Sequence, residues 1–194
     1  ALPEAQITRN GTRGMIWLEP LVEVERDGLR YGYGPVAPED VASVITAIRS
    51  GGDHPLALGP VDDLPWMRGQ RRLTFARVGV IDPLSIDEYQ AQGGLAGLRR
   101  ALDLGPEKTV DEVTASGLRG RGGAGFPTGI KWKTVAGAKA AQKYIICNAD
   151  EGDSGSFADR MLMEGDPLVL IEGMAIAGIA VGATRGYVYI RSEY

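Results

Sequence analysis

The chain is poor in the residues that most often build metal and catalytic centres. It has 194 residues but only one cysteine, Cys147, and one histidine, His54. A single cysteine cannot form an internal disulfide, and an iron–sulfur cluster normally needs four thiolate ligands. We therefore expect no disulfide and no metal site built from these residues.

Long apolar runs and an excess of basic charge are also missing. No stretch reaches the roughly 18 apolar residues of a transmembrane helix, so we expect no membrane segment. The beginning of the chain lacks the basic and apolar regions of a signal peptide. The net charge of −4 argues against non-specific nucleic-acid binding. With 44% apolar and 24% charged residues, the composition predicts a globular cytoplasmic protein of one or two domains.

The amino-terminal part predicts a small strand–hairpin–helix unit. In residues 13–26, valines alternate with glutamates in the period of two that is typical of a strand. The Asp-Gly pair at 27–28 favours a hairpin, and residues 29–34 would return as its second strand. The segment Pro38-Glu39-Asp40 predicts a helix start, because proline suits the first turn and acids favour its positive end. That helix would continue through residues 41–50.

Residues 51–80 are predicted to link this unit, residues 1–50, to a second domain, residues 81–194. Proline and glycine are frequent in most of the segment, and no apolar period is visible. His54 lies here and is interpreted as a surface loop residue. The end of the segment, residues 73–80, predicts a short strand.

The second domain predicts alternating helices and strands. Ser85 and Thr109 are each followed by glutamate three residues later, the pattern of a capping box at a helix start. An Asp-Pro pair at 166–167 predicts another helix start. The predicted helices cover residues 85–92, 95–102, 109–116 and 166–181, and two predicted buried strands cover residues 144–148 and 185–191.

A glycine-rich loop follows the third of these helices. Six glycines lie between Gly117 and Gly129, and glycine lets a backbone adopt positive φ and approach a ligand closely. Three of the glycines match the letters of a dinucleotide-binding fingerprint, but that fingerprint follows a strand rather than a helix. The loop is not a P-loop either, because Ile130 separates Gly129 from Lys131.

Two interpretations of the glycine loop stay open. Backbone N–H groups in such a loop can form a nest that binds phosphate, and Arg121 and Lys131 would add positive charge. Alternatively, the glycines only permit a tight structural turn. The residues alone do not decide between these interpretations.

An acidic turn follows the predicted strand at 144–148. Ligands in open α/β sheets bind beyond the carboxyl ends of strands, where Asp150, Glu151 and Asp153 lie. A calcium loop is excluded, because Gly152 stands where the third position needs an oxygen ligand. Hydrolysis by paired carboxylates, binding of a ligand's hydroxyl and amide groups, and a solvated turn all remain open.

The two motifs together are specific. GRGGAGFPTGIKW followed by CNADEGDSGSFADR resembles the flavin-binding, NADH-oxidising subunit of respiratory complex I, NAD-reducing hydrogenases and NAD-dependent formate dehydrogenases. The resemblance covers residues 81–194. The residues at positions 153 and 154, Asp and Ser, are most similar to the formate dehydrogenase beta subunit, since complex I and hydrogenase members more usually have Glu and Pro there.

The resemblance implies an α/β fold in two parts. A partial thioredoxin-like remnant, without a cluster because it has no cysteine, would precede the N-terminal part of a complex I 51-kDa-like FMN-binding domain. Family members continue beyond Tyr194, so the resemblance also implies an incomplete chain whose missing part carries a 4Fe–4S cluster. The implied partners are a molybdenum-containing formate dehydrogenase alpha subunit and a gamma subunit with a 2Fe–2S cluster.

The implied function is hydride transfer between FMN and NAD(H), relaying electrons from formate oxidation to NAD⁺. No side-chain acid–base pair is needed for that step, and the alternatives are a complex I or hydrogenase flavin subunit and a flavin-less scaffold. Flavin contacts are implied for the glycine loop and the strand end, and nucleotide contacts for Phe126, Lys131 and Asp153. The full implied set is Gly120, Arg121, Gly122, Gly123, Ala124, Gly125, Phe126, Lys131, Asn148, Asp150, Glu151 and Asp153.

Overall fold

The computed structural model describes residues 5–153 and 155–194. The chain forms two compact units, Ala1–Ala76 and Arg77–Tyr194. The assignment of a remnant, a linker and a flavin domain to residues 1–50, 51–80 and 81–194 stays a prediction.

The first unit contains the predicted hairpin and helix. An antiparallel sheet consists of β1 (Val22–Arg26), β2 (Leu29–Tyr33) and β3 (Ala57–Pro60) in that order, and Asp27 and Gly28 adopt φ values of 53° and 75° at the β1–β2 turn. Helix α1 (Val41–Ser50) follows a 3₁₀ turn at Pro38–Asp40, and Gly51, with φ 67°, caps its end. Helix α2 (Pro65–Arg68) follows β3 in the chain.

Regular structure within residues 57–68 was not expected from the sequence. Strand β3 pairs with β2, a 3₁₀ turn follows at Val61–Asp63, and Val61 is fully buried against Met15 and Met67. Elements of three or four residues are too short to produce a visible apolar period. His54 is half-buried, and its Nε2 lies 3.1 Å from the Ser43 hydroxyl. The strand predicted at residues 73–80 is wrong, because that segment forms turns.

The second unit, as far as the structure describes it, is built from six helices and two strands. Strands β4 and β5 are parallel and in register from Tyr144↔Arg185 to Ala149↔Ile190. None of the helices in the described residues is long and apolar enough to cross a membrane. The elements are α3 (Ile86–Ala91), α4 (Ala96–Leu104), α5 (Pro106–Ala115), α6 (Thr128–Gly137), β4 (Tyr144–Ala149), α7 (Ala158–Gly165), α8 (Pro167–Val181) and β5 (Arg185–Ile190).

The helix caps agree with the sequence in part. Ser85 accepts a 3.2 Å hydrogen bond from the Glu88 amide, as its capping box predicts. The box predicted at Thr109 is wrong, because α5 already begins at Pro106. Thr109 lies inside the helix, and its hydroxyl donates to the Gly105 carbonyl at 2.7 Å. The helix start is therefore set by the proline at its first position and not by the capping pattern three residues later.

The core of this unit lies between α5, α6, α8 and β4. Val110, Ala180 and Val181 are buried there, with Trp132 and Ile145 packed against them. The prediction that both strands are buried is wrong: Ile146 is 67% and Tyr189 is 63% exposed. Successive strand residues face opposite sides, so the face with Ile145 meets α8 while the face with Ile146 stays open. Apolar composition favours a strand but does not decide what covers it.

Gly129 belongs to this core rather than to the glycine loop. A Cβ added there would lie 2.4 Å from Thr114 Oγ1 and 2.5 Å from Thr114 Cα, because α6 crosses α5 closely at this point. We expect Gly129→Ala to lower the free energy of unfolding by about 1–3 kcal/mol through overpacking. Gly137→Ala, in the same helix with no atom within 4 Å, is the matched control for denaturant unfolding. Equal stability of the two variants would contradict the close crossing.

Candidate functional site

The glycine loop is a closed hairpin between α5 and α6. Arg119 and Pro127 form an antiparallel bridge at its base. The Gly120 amide donates to the Phe126 carbonyl at 2.9 Å, and the Thr128 amide donates to the Leu118 carbonyl at 2.8 Å. These bonds hold the two ends of the loop together and leave residues 121–125 as its tip.

The tip of the loop is open. A Cβ added at Gly122, Gly123 or Gly125 would meet no atom within 4 Å, so packing does not require glycine there. Gly123 and Gly125 adopt φ values of 87° and 57°, which favour glycine. Open space beside a left-handed backbone is the arrangement that a backbone nest for phosphate needs. It equally permits a ligand ring to approach the main chain.

Three basic side chains accompany the loop. The Arg119 guanidinium donates to the Gly125 carbonyl at 2.9 Å, and the Arg121 guanidinium donates to the Arg119 carbonyl at 2.6 Å. Both arginines thus brace the loop from within it. Lys131, in the first turn of α6, has its Nζ 5.7 Å from the centroid of the Phe126 ring. Within the described residues Lys131 has no acidic partner, so its charge is available to an anion at this helix start.

The second group of predicted site residues lies at the carboxyl end of β4. Asn148, Asp150 and Asp153 are exposed, and Asn148 Oδ1 accepts a 3.3 Å hydrogen bond from the Asp150 amide. The carboxylates of Asp150 and Asp153 have neither a hydrogen-bond donor nor a cation among the residues that the structure describes. Both are therefore available to the hydroxyl or amide donors of a ligand.

Glu151 differs from its acidic neighbours because its carboxylate is used inside the protein. It accepts hydrogen bonds from the amides of Asp159 and Arg160 at the start of α7, at 2.8 and 3.1 Å. It also accepts from the Ser156 and Tyr194 hydroxyls, at 3.2 and 2.9 Å. Burial raises the pKa of Glu151, but these hydrogen bonds together hold that pKa below its ordinary value.

Hydrolysis by paired carboxylates needs one carboxylic acid that stays protonated, and the lowered pKa of Glu151 keeps this residue ionised, so Glu151 does not fit that role. Burial and the nearby Asp159 raise the pKa of the Cys147 thiol, which disfavours a thiolate nucleophile. In the part of the chain that the structure describes, no group of three His, Cys, Asp or Glu side chains is placed to hold a metal ion.

The structure brings the predicted residues together as two groups, not one. The loop group contains Gly120–Phe126 with Lys131, and the turn group contains Asn148, Asp150, Glu151 and Asp153. Both belong to the second unit, but no hydrogen bond or ion pair among the described residues joins them. Their convergence on one ligand stays a prediction.

Comparison with known proteins finds a family match within this unit. Residues 113–194 match the profile of the Nuo51 FMN-binding domain. The carboxy-terminal part of the chain is therefore similar to a complex I 51-kDa-like FMN-binding domain. The predicted α/β fold class is thereby confirmed.

Similar proteins include components of hydrogenases and quinone oxidoreductases. The NADP-reducing hydrogenase protein HndC of Solidesulfovibrio fructosivorans is 58% identical over 64% of this chain and 25% of its own length. An NADH-quinone oxidoreductase component of Rhizobium meliloti is 52% identical over 60% of this chain and 28% of its own. The chain therefore spans about a quarter of the length of these relatives.

A solved structure extends the likeness to more of the chain. The crystal structure of an NAD⁺-reducing NiFe-hydrogenase in the air-oxidized state superposes with a TM-score of 0.50 at 31% identity. The match covers 84% of this chain and 27% of that one.

The residues of the second unit fit FMN chemically. A phosphate suits the open loop beside Lys131, and ribityl hydroxyls suit the exposed amide and carboxylate of Asn148 and Asp150. Sequence reasoning missed Arg119, which braces the loop, and Tyr194, which holds Glu151. Neither has a sequence signal of its own, because each bond depends on how the chain folds back on itself.

Proposed function

We propose that this chain is part of a diaphorase subunit that exchanges electrons between a nicotinamide nucleotide and the redox centres of a larger enzyme. The observation that carries the proposal is the open glycine loop within an FMN-binding domain, whose glycines at 122, 123 and 125 have no packing role. FMN, when bound, accepts hydride from a reduced nicotinamide or donates hydride to an oxidised one. It also exchanges single electrons with other redox centres.

The protein's part in this reaction is to bind and orient. The amides of the loop would hold the flavin phosphate, with Lys131 adding positive charge. Asn148 and Asp150 would hold the hydroxyls of the flavin chain. Phe126 and Asp153 would lie on the nucleotide side, with Phe126 offering its exposed ring as a stacking surface. No acid or base among the site residues needs to move a proton for hydride transfer.

The parent enzyme that we favour is a hydrogenase or a complex I-type oxidoreductase. The relatives with the highest identities above carry those names, and HndC is described as NADP-reducing. An electron-donor or quinone-reducing partner complex would supply or take the electrons. Because these relatives are named for NADP in one case and NADH in the other, NAD(H) and NADP(H) are both candidate nucleotides.

A formate dehydrogenase beta subunit is a second candidate. It is favoured by one observation, the Asp153-Ser154 pair where Glu and Pro are more usual in the other groups. The electrons would then come from a molybdenum-containing alpha subunit, with a 2Fe–2S gamma subunit as a further partner. A 4Fe–4S cluster elsewhere in the parent subunit is part of both candidates.

The proposal is tested on the intact complex, purified through an affinity tag on the protein that carries this chain. We expect about one FMN per complex after acid release, identified by chromatography and fluorescence. We also expect reduction of an artificial electron acceptor with NADH or NADPH. Mass spectrometry of the copurified subunits separates a hydrogenase, a quinone-reducing and a formate-oxidising partner. A complex that releases no FMN and has neither nucleotide activity would favour the flavin-less scaffold.

A further inference from the structure

The acidic turn after β4 is tied to the residues that follow β5. The Arg191 guanidinium donates to the Glu151 main-chain carbonyl at 3.1 Å, and the Tyr194 hydroxyl donates to the Glu151 carboxylate at 2.9 Å. These bonds connect positions 40 and 43 residues apart in the chain. They join the ends of two adjacent parallel strands at the edge where the candidate ligand residues lie.

We propose that Arg191 and Tyr194 are positioning residues that hold the acidic turn in its ligand-binding form through Glu151. The proposal rests on the proposed function and deepens it. It also assigns a different role to Glu151, whose carboxylate then orients the turn, while Asp150 and Asp153 remain the carboxylates that face the ligand.

The hydrogen bonding of Glu151 is the first argument. An ionised carboxylate offers about four acceptor positions on its two oxygens. Glu151 fills as many with protein donors: the amides of Asp159 and Arg160 and the hydroxyls of Ser156 and Tyr194. A carboxylate so fully used has little capacity left for a ligand hydroxyl.

The backbone of Glu151 is the second argument. Its φ is 47°, in the left-handed region that residues with a side chain rarely adopt. Such a conformation persists only where surrounding contacts compensate for its cost. Hydrogen bonds fix Glu151 at two points: Arg191 bonds to its main-chain carbonyl, and the other donors bond to its carboxylate.

The tyrosine itself is held in place. The guanidinium carbons of Arg160 and Arg191 lie 5.5 and 5.6 Å from the centroid of the Tyr194 ring, within the range of cation–π attraction. Arg160 belongs to α7, whose first amides donate to Glu151. The start of α7, the acidic turn and the segment after β5 therefore form one clamp, which we define as Glu151, Arg160, Arg191 and Tyr194.

Tyr194→Phe tests the clamp, because it removes the hydroxyl and keeps the ring near the two arginines. In the intact complex freed of flavin, we expect faster hydrogen exchange at the Asp159 and Arg160 amides. We expect the dissociation constant for added FMN to rise about tenfold or more, the effect of one lost hydrogen bond to a charged acceptor. Tyr144→Phe is the matched control, since Tyr144 lies at the opposite end of β4 and should change neither quantity.

The outcomes separate the clamp from a merely structural contact. Faster exchange across the whole unit, with a lower melting temperature and unchanged FMN affinity, would overturn the positioning role. Unchanged exchange at α7 would overturn the clamp itself. If the unaltered protein binds no added FMN, the proposed function is wrong and so is any role toward flavin. The exchange measurement would then still decide whether Tyr194 holds the turn.

Discussion

The Gly123→Val variant is expected to lose FMN while the protein stays folded. Gly123 has φ 87° and no atom within 4 Å of an added Cβ, so the valine side chain clashes with nothing in the protein. The substitution lowers the free energy of unfolding only because a residue with a side chain must adopt the left-handed backbone conformation, which costs about 1–2 kcal/mol. The valine instead fills the open space beside the loop, where we place the flavin.

The expected effect on flavin is large. Forcing a side chain into occupied space costs about 1–3 kcal/mol or more, so we expect the dissociation constant of FMN to rise about 100-fold. The measurement is the flavin content of the purified complex, followed by titration of the flavin-free protein with FMN. A complex that melts cooperatively and contains no flavin is the predicted result.

Gly93→Val is the matched control for this experiment. Gly93 has φ 83° and likewise no atom within 4 Å of an added Cβ, but it lies in the turn between α3 and α4. It should show the same loss of stability with normal FMN content. A Gly123→Val complex with normal flavin would contradict the binding loop, and one that fails to fold while Gly93→Val folds would favour a purely structural turn.

The sequence could predict elements whose limits are set by local chemistry. Helix α8 begins where expected because Asp166 accepts a 3.4 Å hydrogen bond from the Val169 amide and proline follows it. The β1–β2 hairpin forms where expected because Asp27 and Gly28 tolerate positive φ. In both cases the partners lie within a few residues, and the pattern of residue types contains the needed information.

The sequence could not predict features that depend on distant contacts. Six glycines look alike between Gly117 and Gly129, yet Gly123 faces open space while Gly129 lies against Thr114. Only the crossing of two helices distinguishes them. The exposure of β4 and β5 is a second feature of this kind. It depends on which elements cover each face of the strands rather than on the strands' own residues.

The predicted site shows the same division. Two motifs carried the resemblance to an FMN-binding domain that the family match supports, because the glycine loop and the acidic turn are each contiguous in the chain. The resemblance implied one role, flavin contact, for both Asp150 and Glu151. In the structure the Glu151 carboxylate bonds to partners up to 43 residues away, while that of Asp150 is left available. The sequence predicted the residues of the candidate site but not this distinction between its acids.

Glu172 has a structural role that the sequence pattern does not predict. In the sequence it is a single charge inside the apolar run of α8. In the structure it is only 8% exposed, and its carboxylate accepts hydrogen bonds from the Leu95 and Leu98 amides at 2.7 and 2.9 Å. The Tyr89 hydroxyl also donates to it. Its partners are 74 to 83 residues away in the chain, so no local pattern could reveal them.

This carboxylate serves as the cap of another helix. Leu95 precedes α4 with φ 63° and supplies no side-chain cap. Glu172 satisfies amides at the α4 start from outside that helix, where a negative charge is favourable. Nearby, Arg77 bonds to the fully buried Asp166 at 2.8 Å, and its guanidinium lies 4.7 Å from the Tyr89 ring centroid.

We therefore expect Glu172→Gln to lower the free energy of unfolding by about 3 kcal/mol, although the side chain keeps its size. The glutamine NH₂ group would face hydrogen-bond donors instead of accepting from them. Glu164→Gln is the matched control, because Glu164 forms an exposed pair with Arg160 and should cost at most about 1 kcal/mol. Denaturant unfolding at neutral pH measures both, and equal stabilities would contradict the capping role.

The pH dependence gives an independent check on Glu172. Burial raises the pKa of its carboxyl, but hydrogen bonds from Tyr89, Leu95 and Leu98 and the charge of Arg77 hold that pKa below its ordinary value. A group with a lowered folded-state pKa stabilises the protein fully above its unfolded pKa, about 4.3 for glutamate. This stabilisation is lost as the pH falls through the folded-state pKa. The stability difference between the unaltered protein and Glu172→Gln should thus be constant near neutral pH and shrink in acid, because protonation removes the charge that the variant already lacks. A difference that stays the same down to the pH of acid unfolding would show that the carboxylate's charge does not cap α4.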